Sequence, residues 1–79
     1  MQEEKIRVMI RQKLMDGQLP LVKCQITWFG PGSQQTCAAC ETEIAPSHVE
    51  CECEHPDGAL LRFHRECFSW WDEIRQVFA

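Results

Sequence analysis

The sequence predicts a small α+β domain with an N-terminal helix, short antiparallel strands that include a hairpin, and a C-terminal helix. Two segments, one near each end, carry apolar residues at the spacing of a helix face. A segment between them alternates strictly between apolar and acidic residues, which is the pattern of a half-buried strand. The chain has 79 residues. Because folding at that length buries only roughly 60% of the surface, the apolar core needs additional support.

The first helix is predicted over residues 3–16, with Gly17 as its C-terminal capping residue. Its buried face is expected to consist of the apolar residues of one sector: Ile6, Met9, Ile10 and Leu14. Val8 and Met15 form a second, narrow apolar stripe on the opposite side. Either a partner contacts this stripe or the stripe is exposed. We expect exposure, because single apolar residues are common on protein surfaces.

A strand is predicted over residues 22–28, where apolar and polar residues alternate and Cys24 falls on the apolar side. Residues 30–33 contain two Gly and one Pro, and they predict a loop after this strand. The loop separates a first part of the chain, residues 1–29 with a helix and a strand, from the cysteine-rich remainder.

A hairpin is predicted in the second half of the chain. Residues 49–55 form its first strand, the sequence Pro56-Asp57-Gly58 favours a tight turn, and residues 59–63 form the returning strand. Cys51 and Cys53 lie on the apolar face of the first strand, where we expect small core residues. The opposite face is expected to be an exposed acidic ridge formed by Glu50, Glu52 and Glu54.

From His64 onward the apolar period becomes helical. One sector of this predicted helix contains Cys67, Trp70, Trp71, Ile74, Val77 and Phe78. His64 lies at the edge of the sector. We therefore expect His64 and Cys67 in the first turn, facing the core, where a helix N-terminus also favours the negative charge of a thiolate.

Six cysteines in a short chain indicate either a disulfide framework or a metal site. The charged N-terminal residues lead into no apolar block, so we expect no signal peptide and a cytoplasmic location, where thiols stay reduced. Cys37-x2-Cys40 and His64-x2-Cys67 are two chelating pairs, as a closed tetrahedral zinc site requires. We predict that these four residues bind one structural Zn²⁺.

Other uses of the cysteines are less favoured. A redox dithiol at Cys37 and Cys40 would be expected at the start of a helix within a βαβ unit, whereas a polar stretch precedes this pair. Neighbouring residues on one face of a strand are about 6.6 Å apart, too far for Cys51 and Cys53 to chelate one zinc unless a bulge displaces one of them. Cys24 is expected to be a core thiol.

The order of a C-x2-C turn, a hairpin and a helix whose first turn carries the second ligand pair resembles a treble-clef zinc finger. The spacing Cys37-x2-Cys40-x23-His64-x2-Cys67 also resembles that of a LIM-type zinc module. The resemblance covers residues 36–79 and implies a zinc-binding module there, within a single domain of residues 1–79. Families with these folds include protein-interaction adapters, nucleic-acid binders and some nucleases, so the resemblance does not choose a function.

The net charge and the chemistry of the predicted ligands reduce the number of possible functions. The net charge of −4 disfavours nucleic acid as a partner, because phosphate contacts usually require a basic excess. The sequence contains no run of 18 apolar residues, so we expect no membrane-spanning helix. A closed Cys3His shell leaves no position for a reactive water, so we do not expect an enzyme. His48 is expected at a strand start and His55 in the turn.

The leading hypothesis is therefore a zinc-binding protein-interaction module. Its candidate contact surfaces are the Trp28-Phe29 tip, the outer edge of the first helix, and the margin of the last helix at Phe68 and Trp70. A nucleic-acid-binding zinc finger is the alternative, followed by a nuclease-like enzyme that would use His48 or His55.

Overall fold

A three-stranded antiparallel sheet lies at the centre of the computed structural model, which describes residues 2–78. The elements follow in the order α1 (Glu3–Met15), β1 (Ile26–Pro31), β2 (Val49–Glu54), β3 (Leu60–His64) and α2 (Arg65–Phe78). β2 is the central strand, and β1 and β3 are the two edges. α1 packs against α2, which also packs against β2 and β3. The predicted α+β class is confirmed.

α1 forms where the apolar spacing predicts a helix. Its buried residues are Ile6, Ile10 and Leu14, whereas Met9 is only partly buried. Gly17 adopts a φ of +77° just after the helix, a conformation that glycine reaches without strain. Val8 and Met15 are exposed, as expected. Arg7 on α1 donates a hydrogen bond of 2.9 Å to Glu73 on α2, which links the two helices.

β1 does not lie where the alternation predicts it. The strand runs from Ile26 to Pro31, so residues 22–25 precede it and Gly30 and Pro31 belong to it. The expected buried apolar face is also wrong, since Trp28 is 50% exposed. The reason is that α2 packs mainly against β2 and β3, so the faces of the edge strand β1 receive little cover. An edge strand also accommodates a proline.

The β2–β3 hairpin follows the prediction closely. Cys51 lies opposite Phe63 and Cys53 lies opposite Leu61, and Gly58 has a φ of +91° in the connecting turn. Cys51 and Cys53 are buried on the face that α2 covers. Their partners on β1 are Phe29 and Thr27, respectively.

Glu50 departs from the predicted acidic ridge, because it is buried with an exposed fraction of only 3%. The backbone N–H and the hydroxyl of Ser33 donate to its Oε1 at 2.8 and 2.6 Å, and Arg62 Nε lies 3.3 Å from its Oε2. The loop between β1 and β2 crosses this end of the sheet, where the N–H of Gly32 donates to the carbonyl of His48. A buried carboxylate requires such partners to offset its lost hydration.

α2 covers the inner face of the sheet with Trp71. The Trp71 ring stacks on Phe63 with centroids 5.3 Å apart, and its Nε1–H donates to the carbonyl of Pro20 at 3.1 Å. Cys67 and Ile74 are buried on the same side. Val77 was predicted to belong to this buried sector, but it is 83% exposed, so the covered face is narrower than the apolar pattern indicates.

The tight approach of the β1–β2 loop at Gly32 gives a first testable prediction. A Cβ atom at Gly32 would collide with the carbonyl oxygens of Ile44 and Ala45. Because this overpacking forces the backbone to shift, Gly32→Ala should lower the free energy of unfolding by about 1–3 kcal/mol in urea denaturation. Gly30→Ala is the control, since an added Cβ there meets no atom within 4 Å and should change stability by less than about 0.5 kcal/mol. Equal effects of the two changes would contradict the described packing.

Candidate metal centre

The structure brings together the four residues that the spacing singled out. The ligand atoms of Cys37, Cys40, His64 and Cys67 all lie within 4.8 Å of one another. All four side chains are buried. Two come from a turn before the hairpin, and two come from the junction at which β3 passes into α2.

A tight turn presents Cys37 and Cys40. The N–H of Glu41 donates to the carbonyl of Cys37 at 3.0 Å, and the N–H of Cys37 donates to the carbonyl of Thr42 at 2.9 Å. Glu41 has a φ of +65°, which reverses the chain immediately after Cys40. The N–H of Ala38 donates to the carbonyl of Arg62 at 2.8 Å. The turn is thereby attached to β3, which carries the third member of the group.

His64 is the last residue of β3, and Cys67 lies in the first turn of α2. The helix therefore begins one residue later than predicted, while both side chains still point to the same centre. His64 Nδ1 lies 3.4 Å from Cys40 Sγ and 4.0 Å from Cys67 Sγ. The opposite ring nitrogen, Nε2, lies 3.2 Å from the carbonyl oxygen of Glu43. Since that oxygen can only accept, it favours a proton on Nε2 and leaves the Nδ1 lone pair directed at the sulfurs.

The centre stabilises a thiolate at neutral pH. A hydrogen bond from the Cys67 thiol lowers the pKa of Cys37 to about 4, against the opposing effect of burial. The backbone N–H of His64 also donates to Cys37 Sγ at 3.4 Å. The same hydrogen bond, together with burial, raises the pKa of Cys67. The Cys40 sulfur lies 3.1 Å from the hydroxyl oxygen of Thr42.

These donors suit a metal ion in number and in kind. Three sulfurs and one imidazole nitrogen form a four-member set of the type that closes a tetrahedral site. Thiolate and imidazole donors select borderline or soft ions over Mg²⁺ or Ca²⁺. The buried Cys3His group could therefore hold a metal ion.

A second group of side chains was not predicted. Cys24 and Cys53 form a disulfide with a Cα–Cα distance of 5.4 Å, whereas both were expected to be separate reduced thiols in the core. His55 Nε2 lies 3.4 Å from Cys53 Sγ, and the ligand atoms of these three residues all lie within 4.8 Å of one another. The signal available in the sequence was the C-x-H pattern of Cys53 and His55 at the end of β2. Spacing along a strand could not reveal that Cys24 approaches from another segment.

The remaining cysteine and histidine behave as expected. Cys51 is a buried free thiol whose pKa is raised to about 12 by burial and by the nearby charges of Glu50 and Glu52. His48 is exposed just before β2, and its Nδ1 accepts a hydrogen bond from the N–H of Ala45 at 3.2 Å. Its ring lies 5.1 Å from that of His64.

Comparisons of the chain with protein-family models, with curated proteins and with solved structures find no match. Neither helix within residues 2–78 combines the length and the hydropathy that crossing a membrane demands. The chemistry of the centre is therefore argued from its own geometry.

Two alanine variants of buried cysteines test the centre. Cys67→Ala removes one of the four donors and should eliminate the bound zinc. The three remaining donors would lose most of the binding free energy of the complete site, which is on the order of 10 kcal/mol. That amount is comparable with the whole stability of a small domain, so the near-ultraviolet signal of the tryptophans should also be lost. Cys51→Ala is the matched control, since Cys51 is equally buried but lies outside the group. With the Cys24–Cys53 disulfide intact, it should retain one zinc per chain by elemental analysis; retention of that zinc by Cys67→Ala under the same conditions would contradict the assignment.

Acidification should release the metal. Protons compete with the ion for the sulfurs, so the affinity falls as the pH falls. Cys67, whose pKa is raised by its hydrogen bond to Cys37 and by burial, loses a proton when it binds the metal and regains one when the metal leaves. A pH titration with a zinc-sensitive dye should therefore show progressive release of zinc as the pH is lowered below neutrality; an amount of bound zinc that does not change on acidification would contradict this account.

Proposed function

We propose that this chain is a zinc-binding protein whose single primary Zn²⁺ is structural and is held by Cys37, Cys40, His64 and Cys67. The observation that carries the proposal is the closed, buried group of four donors on two separate segments. Zinc is the ion that such a Cys3His set most commonly takes. Its binding free energy becomes folding free energy, which a core of this size needs.

The proposed architecture around the zinc is a treble clef. The tight turn with Cys37 and Cys40, the β2–β3 hairpin and the first turn of α2 occur in the order that this likeness requires. We further propose that residues 1–79 form one domain, in which α1 and β1 are added to the zinc module of residues 36–79. The burial of the inner face of α1 and its ion pair with α2 support this proposal.

The proposed role is binding and not catalysis. A closed tetrahedral shell leaves the zinc no position for an activated water, so the ion supports the fold. The proposed compartment is the cytoplasm, because zinc ligation requires thiols that stay reduced. The Cys24–Cys53 disulfide is then a redox-responsive bond of the kind found in cytosolic proteins.

The proposed contact surface is β1. Among the described residues, β1 is an edge strand without a partner on its outer side, and it contains no charged residue. Trp28 and Phe29 on this strand are 50% and 57% exposed, and Ile26 beside them is exposed as well. Exposed aromatic residues on an unpaired strand edge are the combination that binds an extended segment by strand addition.

The acidic residues beside β1 indicate the charge of the partner that we propose. Trp28 lies opposite Glu52 on β2, and Ile26 lies opposite Glu54. The chain as a whole carries a net charge of −4. We therefore propose as partner an extended protein segment in which Lys or Arg flanks apolar side chains, since such a segment matches both the apolar strand and the acidic residues beside it.

Selection from a random peptide display library tests this surface. The zinc-loaded chain should enrich basic, apolar sequences, and Trp28→Ala should weaken binding of the selected peptides by about 30-fold, equivalent to about 2 kcal/mol for an aromatic hot spot. Val77→Ala is the control, because Val77 is exposed but belongs to α2 and not to β1. Isothermal titration calorimetry measures both variants.

Two outcomes would contradict the proposed function. The first is equal binding by the Trp28→Ala variant and the wild-type chain. The second is tight binding of mixed oligonucleotides that weakens steeply as the salt concentration rises, which would favour a nucleic-acid-binding role.

A further inference from the structure

A second donor group lies at the other end of β2 and has no part in the proposed zinc centre. Cys53 is on β2, His55 follows that strand, and Cys24 approaches from the segment before β1. The two cysteines form a disulfide, and His55 Nε2 lies 3.4 Å from the Cys53 sulfur. Cys53 and His55 are buried, whereas Cys24 is only partly buried.

The imidazole of His55 has a position that a disulfide alone does not require. Its exposed fraction is 4%, and its Nδ1 has no hydrogen-bond partner among the described residues. The ring also packs edge-on against Trp71, with centroids 6.0 Å apart. The ring nitrogen that faces the sulfurs is Nε2, and its closeness to both of them is the arrangement of a metal ligand.

The backbone geometry suits both a disulfide and a metal ion. The Cα atoms of Cys24 and Cys53 are 5.4 Å apart, within the range of disulfides. Two sulfurs bound to one zinc are separated by about 3.8 Å, given a Zn–S bond of about 2.3 Å and tetrahedral angles. Because each sulfur can rotate about its own Cα–Cβ bond, the pair can open to that distance without moving the strands.

We propose that Cys24, Cys53 and His55 form a second, redox-controlled metal site. In the oxidised chain the two cysteines are a disulfide and no ion is bound there. In the reduced chain the two thiolates and the imidazole bind one Zn²⁺, and water completes the tetrahedron, as it does in zinc sites with three protein ligands. His55 also lines a groove of about 440 Å³, together with Val22 and Asp57, which offers a path for the ion.

A dithiol reductant can convert the disulfide form of this site into the metal-binding form. A thiolate of the reductant attacks the partly exposed Cys24 sulfur, the Cys24–Cys53 bond breaks, and the Cys53 sulfur leaves as a thiolate beside His55 Nε2. The second thiolate of the reductant then displaces Cys24. The reductant ends as a cyclic disulfide and the chain gains two thiols, which lose two protons when Zn²⁺ binds. A small-molecule disulfide reverses the exchange and releases the ion.

Native mass spectrometry of the full chain with excess Zn²⁺ tests this proposal in two arms. The oxidised chain should carry one zinc and show four alkylatable thiols after denaturation with a chelator, since four cysteines lie outside the disulfide. Reduced chain should carry two zincs and show six alkylatable thiols, the full cysteine content. Six thiols with only one zinc, which the reduced Cys24→Ala variant retains, would overturn the second site, as would two zincs on the oxidised chain.

Variants separate this site from the primary centre. Reduced Cys24→Ala and His55→Gln should each lose one zinc and keep the other, whereas reduced Cys51→Ala, the control for a buried cysteine on the same strand, should keep both. Two zincs on reduced Cys24→Ala would refute the proposal. If the primary centre instead fails to bind, the reduced wild-type chain should carry one zinc that Cys24→Ala loses and Cys67→Ala retains, so the two failures remain distinguishable.

Discussion

The structure depends on the convergence of three sulfurs and one imidazole at a single buried point. Cys37 and Cys40 reach that point from a turn, while His64 and Cys67 reach it from the end of a strand and the start of a helix. Groups of this kind are costly to bury side by side unless hydrogen bonds or an ion compensate them. A chain of 79 residues has little apolar burial with which to offset such a cost. The donor group is therefore the constraint around which the other contacts are arranged.

The centre and the aromatic core are continuous through two short segments. His64 directly follows Phe63, and Cys67 lies one helical turn before Trp71, which stacks on the Phe63 ring. The hydrogen bond from Ala38 to Arg62 joins the cysteine turn to the same strand. A displacement at the centre must therefore displace the core, because β3 and α2 meet without an intervening loop.

The two edges of the sheet differ in what covers them. β3 continues directly into α2 and packs against it, whereas β1 contacts only β2 among the strands of residues 2–78. Ile26 and Trp28 of β1 consequently remain exposed, while Phe29 reaches α2 only by an edge-on contact with Phe68, with ring centroids 6.1 Å apart. The same difference explains why an alternating pattern in the sequence did not identify a buried strand there.

The sequence by itself determined the features that depend on local spacing. These are the two helices, the hairpin with its turn at Gly58, and the four members of the donor group, because two-residue spacers and helical periods act over short distances along the chain. Only the tertiary structure decided which residues meet across long separations. Cys24 pairs with Cys53 over 29 positions, Glu50 is buried by Ser33 and Arg62, and β1 begins at Ile26 because its pairing with β2, and not its own alternation, sets the register.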